Sequence, residues 1–217
     1  DEDASPDWSD QFDGAFERTA QTARIASVRE SFEERGILLA RPASSRGKGA
    51  ALVGPDVAEK LSPFRAAVDR GEQSFLELVR EHALVLALDT LVHFGHWITP
   101  TMMPKRFDTH FYLAPTPAEQ IAAHDGRETT DAVWINAQAA LDKEVAGEAT
   151  IIFPTRMNLG KLAETSTVAD AIARFSSEPV VTVLPEIGKT DDGKPCLNIP
   201  AEAGYVTTTE LLENVKA

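Results

Sequence analysis

The stretch R-E-S-F-E-E-R-G-I at residues 29–37 joins a predicted helix to a predicted strand. Apolar residues recur at helical spacing before and within it, which predicts a helix over residues 22–35. Gly36 follows at the position where helices often end on a left-handed residue. The apolar run at residues 37–40 then predicts a strand, so the local order is helix, glycine and strand.

Three glutamates share one face of this predicted helix. Glu30, Glu33 and Glu34 stand at i, i+3 and i+4, the spacing of neighbours on a helix surface. Like charges this close repel each other unless a cation neutralises them. Carboxylates are preferred ligands of Mg²⁺ and Mn²⁺, and such a cation can bridge phosphate oxygens and lower the pKa of a coordinated water. We therefore predict hydrolysis of a phosphoanhydride, with Arg29 placed to hold one carboxylate in a bidentate pair.

An ordinary acidic helix surface is the main alternative. On spacing alone it is the better interpretation, because most E-x-x-E-E stretches are solvated faces with local charge pairs. The flanking residues favour a functional site. Arg29 precedes the first glutamate, and Gly36 and Ile37 lead directly into an apolar strand.

The stretch resembles the C-terminal half of the Nudix signature, R-E-U-x-E-E-x-G-U, where U is an apolar residue. It matches at every position but one, where Ser31 replaces an apolar residue. The upstream half matches poorly, because the signature's glutamate falls on Gln21 and its glycine falls on Ala15. An insertion between the glycine-rich turn and the helix would explain this departure.

One Nudix branch, the peroxisomal coenzyme A diphosphatases and their bacterial relatives, carries such an insertion. The chain resembles that branch in further blocks that follow in the same order. These blocks are D-A-S-P-D-W at 3–8, H-W-I-T-P-T at 96–101, R-F-D-T-H-F-Y at 106–112, W-I-N-A-Q-A-A-L at 134–141 and F-P-T at 153–155. The resemblance therefore extends over most of the chain.

The resemblance implies an α/β (α+β) fold, the Nudix α/β/α sandwich with a mixed β-sheet. Residues 1–217 would form a single Nudix domain with a helical insertion at about residues 41–93. The N-terminal strand and the glycine-rich turn of the family would precede residue 1. Elsewhere the pattern predicts helices at 55–70, 74–91, 137–143 and 157–175, the last broken near residue 166, and strands at 94–99, 106–114, 133–135 and 180–184.

The resemblance also implies the roles of the site residues. Glu30, Glu33 and Glu34 would bind Mg²⁺ or Mn²⁺, and Glu30 or Glu34 would take a proton from the attacking water. Arg29 would orient the carboxylates. A further ligand usually comes from a later loop, and of the two acidic residues placed there, Glu128 and Asp131, we prefer Glu128.

Coenzyme A or acyl-CoA is the substrate that this branch implies, with 3′,5′-ADP and 4′-phosphopantetheine as products. ADP-ribose or a dinucleotide is the alternative within the same chemistry. A Nudix-fold binding protein without turnover is the alternative from another class. The complete set of Glu30, Glu33 and Glu34 argues against it, since a degenerate site would be expected to lose some of them.

The amino-acid composition limits the classes of partner that the protein is expected to bind. The formal net charge is -13, so no broad basic surface is available for a nucleic-acid polymer. The apolar runs are too short to span a membrane, and the N-terminal residues do not form a signal peptide. Cys196 is the only cysteine, which favours a reducing cytoplasm. We expect a small nucleoside diphosphate derivative as the partner, and homodimer formation stays open.

Two residues outside the helix are predicted to contact the substrate. Arg106 is suited to a phosphate or an adenine edge, with pairing to Asp108 as the structural alternative. Trp97 is suited to stacking on adenine, although core packing is the commoner role of a tryptophan. His93 and His96 are three residues apart, but no third ligand of matching type lies nearby in the sequence, so a zinc site is not predicted.

Overall fold

The computed structural model describes residues 2–117, 119–120 and 133–215. Its internal contacts divide the chain into two compact units. The first unit comprises Asp1–Leu91 and Ala114–Val133, and the second comprises Val92–Leu113 and Trp134–Ala217. Helices and sheets occur together, as expected for the α/β class.

The first unit contains four helices and two strands among its described residues. In chain order they are α1 (Arg18–Arg35), β1 (Ala40–Pro42), α2 (Pro55–Leu61), α3 (Arg65–Asp69), α4 (Phe75–Glu81) and β2 (Leu84–Leu86). β1 and β2 pair antiparallel, with Arg41 opposite Val85. The predicted insertion at residues 41–93 thus contains α2, α3 and α4, and it also contains β2.

Helix α1 follows the predicted pattern. Ile25, Val28 and Phe32 are fully buried, so one apolar stripe attaches the helix to the core. Gly36 ends the helix with φ 70° and donates its N–H to the Phe32 carbonyl. The helix begins at Arg18, four residues before the predicted start at residue 22, because polar residues there carry no apolar signal.

Two sequence predictions in this unit are wrong. The helix predicted at residues 74–91 ends at Glu81, and its second half forms β2. Ala83 adopts φ 49°, which stops the helix, and the three residues of β2 are buried against β1. The helix predicted at residues 55–70 is divided into α2 and α3 by a short 3₁₀ turn, Ser62–Phe64.

A buried ionic group connects the N-terminal segment to β1. Arg41 is 1% exposed and donates hydrogen bonds to Asp13 at 2.9 Å and to Asp89 at 2.6 and 3.1 Å. Burial alone would raise the pKa of Asp13, but hydrogen bonds from Gly47, Arg46 and Arg41 outweigh it and lower that pKa. The charges are mutually compensated, which buried ions require.

The second unit contains six strands and three helices among its described residues. They are β3 (Val92–Ile98), β4 (Asp108–Leu113), α5 (Ala137–Val145), α6 (Phe153–Ala163), α7 (Val168–Ser177), β5 (Thr182–Val183), β6 (Glu186–Lys189), β7 (Pro195–Asn198) and β8 (Thr209–Leu211). One sheet has the order β4-β3-β5, and the other has the order β6-β7-β8. β4 runs antiparallel to β3, whereas β5 runs parallel to it.

Most elements predicted for this unit are present. Asn136 caps α5 by accepting hydrogen bonds from the N–H groups of Gln138 and Ala139, as predicted. The break predicted near Ser166 separates α6 from α7. The strand predicted at residues 133–135 is wrong, because these residues are exposed and irregular. The β6-β7-β8 sheet had no counterpart in the sequence prediction.

No helix among the described residues combines the length and the hydropathy needed to cross a bilayer.

Candidate active site

The carboxylates of α1 differ in their exposure. The Glu30 side chain is 59% exposed, whereas that of Glu33 is only 8% exposed, and Glu34 is half-buried. Glu33 is shielded from solvent and paired with Arg29, four residues earlier on the same face of the helix. The helix therefore presents one inner carboxylate and two that solvent reaches.

Arg29 is held between two carboxylates. Its Nη1 donates to both oxygens of Glu33, at 2.9 and 2.7 Å. Its Nε donates to Asp3 at 3.2 and 3.1 Å, and its Nη2 donates to Asp3 at 3.0 Å. Burial would lower the pKa of Arg29, but the hydrogen bonds that it donates to Asp3 and Glu33 raise that pKa well above its ordinary value. Arg29 is thus permanently charged and fixed in orientation.

Asp3 is the site residue that sequence reasoning missed. It is 4% exposed and lies in the 3₁₀ turn Glu2–Ala4, which packs on α1. The turn is anchored by Trp8, fully buried, whose indole N–H donates to the Glu2 carbonyl at 2.9 Å. Sequence spacing assigned the signature's upstream glutamate to Gln21, which lies on α1 itself. The available signal was the D-A-S-P-D-W block, which the resemblance had singled out without giving its first residue a role.

The pKa values of two carboxylates on α1, Glu30 and Glu33, are raised, chiefly by burial. The pKa of Glu30 is raised first by burial and then by the charges of Glu34 and Glu33, against the lowering effect of Arg29. The pKa of Glu33 is also raised, by burial, which outweighs its hydrogen bond from Arg29. Arg29 thus lies among the carboxylates of Asp3, Glu30 and Glu33, and carboxylates gathered in this way are the donor type that suits a divalent cation.

The predicted fourth ligand cannot be placed. Glu128, and its alternative Asp131, both lie outside the described residues. The metal-binding roles of Glu30, Glu33 and Glu34 stay predictions, and their donor type fits one hard cation such as Mg²⁺ or Mn²⁺.

The two predicted substrate contacts lie in the second unit. Arg106 is exposed, and its Nε donates to the Thr99 carbonyl at 3.0 Å, while Asp108 pairs with His96. Trp97 is 3% exposed, and its indole N–H donates to the Tyr205 hydroxyl at 2.8 Å. Trp97 also lines an apolar cavity of about 420 Å³ in this unit. Arg106 is therefore exposed to solvent, whereas Trp97 is held in the core.

A comparison with family models identifies the family to which the chain belongs. The family model described as the NUDT19 Nudix domain matches residues 2–162, which is more than half of the chain. The chain belongs to this family. The match includes Asp3 and the whole of α1, and it confirms the resemblance inferred from residues 29–37. The match to the NUDT19 Nudix domain ends within α6, so strands β5 to β8 lie beyond the matched residues.

Two curated relatives carry the name acyl-coenzyme A diphosphatase NUDT19. The protein from Xenopus laevis is 28% identical over 180 residues, which cover 78% of this chain and 47% of the relative. The protein from Homo sapiens is 29% identical over 203 residues, which cover 88% of this chain and 53% of the relative. The chain thus spans about half the length of these relatives.

A solved structure shares the fold. The crystal structure of a Nudix hydrolase from Alicyclobacillus acidocaldarius superimposes with a TM-score of 0.66 at 23% sequence identity. The match covers 82% of this chain and 79% of that protein. This member of the NUDT19 Nudix domain family therefore has an α/β Nudix fold, as predicted from the sequence.

Proposed function

We propose that this chain hydrolyses the diphosphate of coenzyme A or acyl-CoA, releasing 3′,5′-ADP and a 4′-phosphopantetheine product. The observation that carries the proposal is the fixed Arg29, which holds Glu33 and Asp3 while Glu30 and Glu34 stay open to solvent on the same helix. An ordinary acidic surface would not require a nearly buried carboxylate from a separate segment to position its arginine.

The carboxylates would bind the cation. Glu30, Glu33 and Glu34 are the proposed ligands on α1, and Glu128 is the proposed ligand from the later segment. Mg²⁺ or Mn²⁺, when bound, supplies positive charge that stabilises negative charge developing on the diphosphate oxygens. The raised pKa of Glu30 supports this assignment, because the charges of Glu34 and Glu33 add to the effect of burial and a cation at this face would offset that repulsion.

The chain's own groups would position and deprotonate the attacking water. Glu30 and Glu34 are the proposed proton acceptors, since both are reachable from solvent. Arg29 is a positioning residue, because its guanidinium is fully engaged by Asp3 and Glu33. By holding Glu33, Arg29 fixes the direction from which that carboxylate meets a cation.

The substrate follows from the relatives rather than from the geometry. The curated relatives from Xenopus laevis and Homo sapiens are named acyl-coenzyme A diphosphatases. The net charge of -13 also disfavours a polyanionic polymer as substrate. Arg106 and Trp97 stay proposed substrate contacts. ADP-ribose or a dinucleotide is the alternative substrate, and ligand binding without turnover is the alternative function.

A product analysis tests the proposal. The wild-type protein and the variants Glu30→Gln, Glu34→Gln and Glu59→Gln are incubated with Mg²⁺ and CoA, acyl-CoA, ADP-ribose or Ap4A. Glu59 is an exposed glutamate on α2 and serves as the matched control. We expect 3′,5′-ADP from CoA with the wild type and Glu59→Gln, and a loss of about 10²- to 10⁴-fold in rate for Glu34→Gln.

The outcomes separate the alternatives. Equal rates for Glu30→Gln, Glu34→Gln and wild type would refute the catalytic assignment. Cleavage of ADP-ribose but not of CoA would refute CoA as the substrate and would be consistent with the proposed role of α1. Binding of CoA without any product would favour the binding protein.

A further inference from the structure

Strands β3 and β4 bring three histidines and an aspartate together on one face of their sheet. We name this group the histidine cluster: His93 and His96 on β3, and Asp108 and His110 on β4. Its members belong to the second unit, whereas the carboxylates of α1 belong to the first. Neither the family match nor the proposed hydrolysis gives the histidine cluster a role.

An irregularity in the strand pairing creates the cluster. Residues three apart on a regular strand point to opposite faces, so His93 and His96 would be separated. The register shifts between His93 and Gly95, and this bulge returns both histidines to the same face. His96 then stands directly opposite His110, and Asp108 lies two residues from His110 on that face.

The ring positions confirm that the side chains meet. The rings of His96 and His110 stack with centroids 4.1 Å apart at an interplanar angle of 6°. The ring of His93 lies 5.0 Å from that of His110. One nitrogen of His96, one of His110 and one oxygen of Asp108 all lie within 4.8 Å of one another.

Hydrogen bonds hold both histidine rings beside the Asp108 carboxylate and engage their second nitrogens. His96 Nε2 lies 2.5 Å from Asp108 Oδ1, and His110 Nε2 lies 3.8 Å from the same oxygen. The other ring nitrogens are engaged elsewhere. His96 Nδ1 bonds to the Thr182 hydroxyl at 2.8 Å, and His110 Nδ1 bonds to His93 Nε2 at 3.1 Å. The Nδ1 atom of each ring thus has its own hydrogen-bond partner. We call these two residues, Thr182 and His93, the outer partners.

We propose that the histidine cluster binds a late first-row divalent cation, with Zn²⁺ as the representative ion. The ligands are His96 Nε2, His110 Nε2 and a carboxylate oxygen of Asp108. Two imidazoles and one carboxylate are a donor set that suits Zn²⁺ and leaves a coordination position for water. Mg²⁺ disfavours imidazole and demands oxygen ligands, so the cluster discriminates against the cation proposed for α1.

The outer partners provide what a zinc site needs beyond its ligands. A ligating imidazole is normally held by a hydrogen bond from its second nitrogen, which fixes the ring and its tautomer. The Thr182 hydroxyl can accept a hydrogen bond from His96 Nδ1–H, and His93 Nε2 can accept one from His110 Nδ1–H. Both Nε2 lone pairs are then available to the cation, with both rings neutral. The cation would tie β3 to β4 through side chains.

Binding measurements on metal-free protein test this proposal. Zn²⁺ affinity is measured by competition with a chromophoric chelator, in the presence of millimolar Mg²⁺ to occupy oxygen-ligand sites. The variants are His96→Gln, His110→Gln and Asp108→Asn, and the control is His82→Gln. His82 lies at the end of α4 in the other unit and bonds to the Leu78 carbonyl. Co²⁺ is added in parallel, because its visible spectrum reports nitrogen coordination.

We expect the wild type and His82→Gln to bind one Zn²⁺ and to show Co²⁺ bands. Since outer partners alone are worth about 10- to 100-fold in affinity, loss of a ligand in His96→Gln or His110→Gln should weaken binding by at least about 100-fold. Circular dichroism in chelator checks that each variant folds. Asp108 is 64% exposed, so Asp108→Asn keeps the test decisive if a histidine variant does not fold.

Three results would overturn the proposal. They are unchanged Zn²⁺ affinity in the three cluster variants, complete displacement of Zn²⁺ by Mg²⁺, or loss of the Zn²⁺ site in Glu30→Gln. The last result would place the ion on α1. Because the hydrolysis assay uses Mg²⁺ and variants of α1, a failure there leaves this test unaffected.

Discussion

Replacing Asp3 by Asn removes the charge that holds one side of Arg29. The Asp3 side chain is 5% exposed and that of Arg29 is 25% exposed, so the pair is shielded from solvent. Three hydrogen bonds of 3.0 to 3.2 Å connect them. Breaking a buried ion pair costs about 3–5 kcal/mol, and a hydrogen bond to a charged group contributes about 1.5–3 kcal/mol.

The loss of stability expected for Asp3→Asn is at the lower end of these free energies. Arg29 keeps its two bonds to Glu33, and asparagine keeps the shape and one acceptor oxygen of Asp3. We therefore expect Asp3→Asn to lower the free energy of unfolding by about 2–3 kcal/mol. With Asp3 no longer charged, Glu33 alone would fix the guanidinium, so the direction of the Glu33 carboxylate would be less well defined and kcat for the proposed hydrolysis of CoA should also fall, by about 10- to 100-fold.

Urea unfolding in chelator measures the first effect, and initial rates with Mg²⁺ measure the second. Asp7→Asn is the matched control, because Asp7 is exposed in the neighbouring 3₁₀ turn. Its free energy of unfolding should stay within about 0.5 kcal/mol of the wild type. If Asp3→Asn behaves like Asp7→Asn in both assays, Asp3 does not position Arg29 and the reasoning from the ion pair fails.

Three further predictions concern stability and can be checked by urea unfolding. Gly36→Ala places a side chain at φ 70° and should cost about 1 kcal/mol, while Gly36→Asn should cost less. Trp97→Phe removes the donor to the Tyr205 hydroxyl, 2.8 Å away, and should cost about 1–2 kcal/mol, and an unchanged stability would contradict this bond. Burial would raise the pKa of Glu210, but its hydrogen bond from Arg156 lowers that pKa below the ordinary 4.5. The ionised carboxylate therefore stabilises the fold above pH 4.5, and this stabilisation is lost as the pH falls through the lowered pKa. Glu210→Gln should therefore be less stable than the wild type at pH 7, and a difference that persists unchanged at pH 3 would refute the ionic contribution.

Local signals predicted the elements whose stability is set within a few residues. Helix α1 and its end at Gly36 follow from apolar spacing and from the one residue that adopts φ 70° without strain. The cap at Asn136 follows from a side chain that reaches N–H groups two and three residues on. These features need no knowledge of the rest of the chain.

Elements defined by distant partners were not predictable in the same way. The L-V-L run of β2 is as apolar as a buried helix, and only its pairing with β1, more than 40 residues earlier, makes it a strand. The same limit applies to the candidate site. The ligand candidates on α1 share one helix, whereas Asp3 reaches Arg29 across 26 positions of sequence.

The histidine cluster shows how one backbone detail changes a chemical prediction. The sequence argued against a zinc site because His93 and His96 lacked a third ligand nearby. On a regular strand they would also point to opposite faces. The bulge before Gly95 brings both to one face, and the antiparallel register then sets His110 beside them with Asp108. Deleting the bulge would turn His93 away from His110 while leaving the three proposed ligands in the chain, so Zn²⁺ binding should weaken by about 10- to 100-fold, the effect of losing an outer partner. A variant lacking Phe94 that bound Zn²⁺ as tightly as the wild type would show that His93 does not support the site.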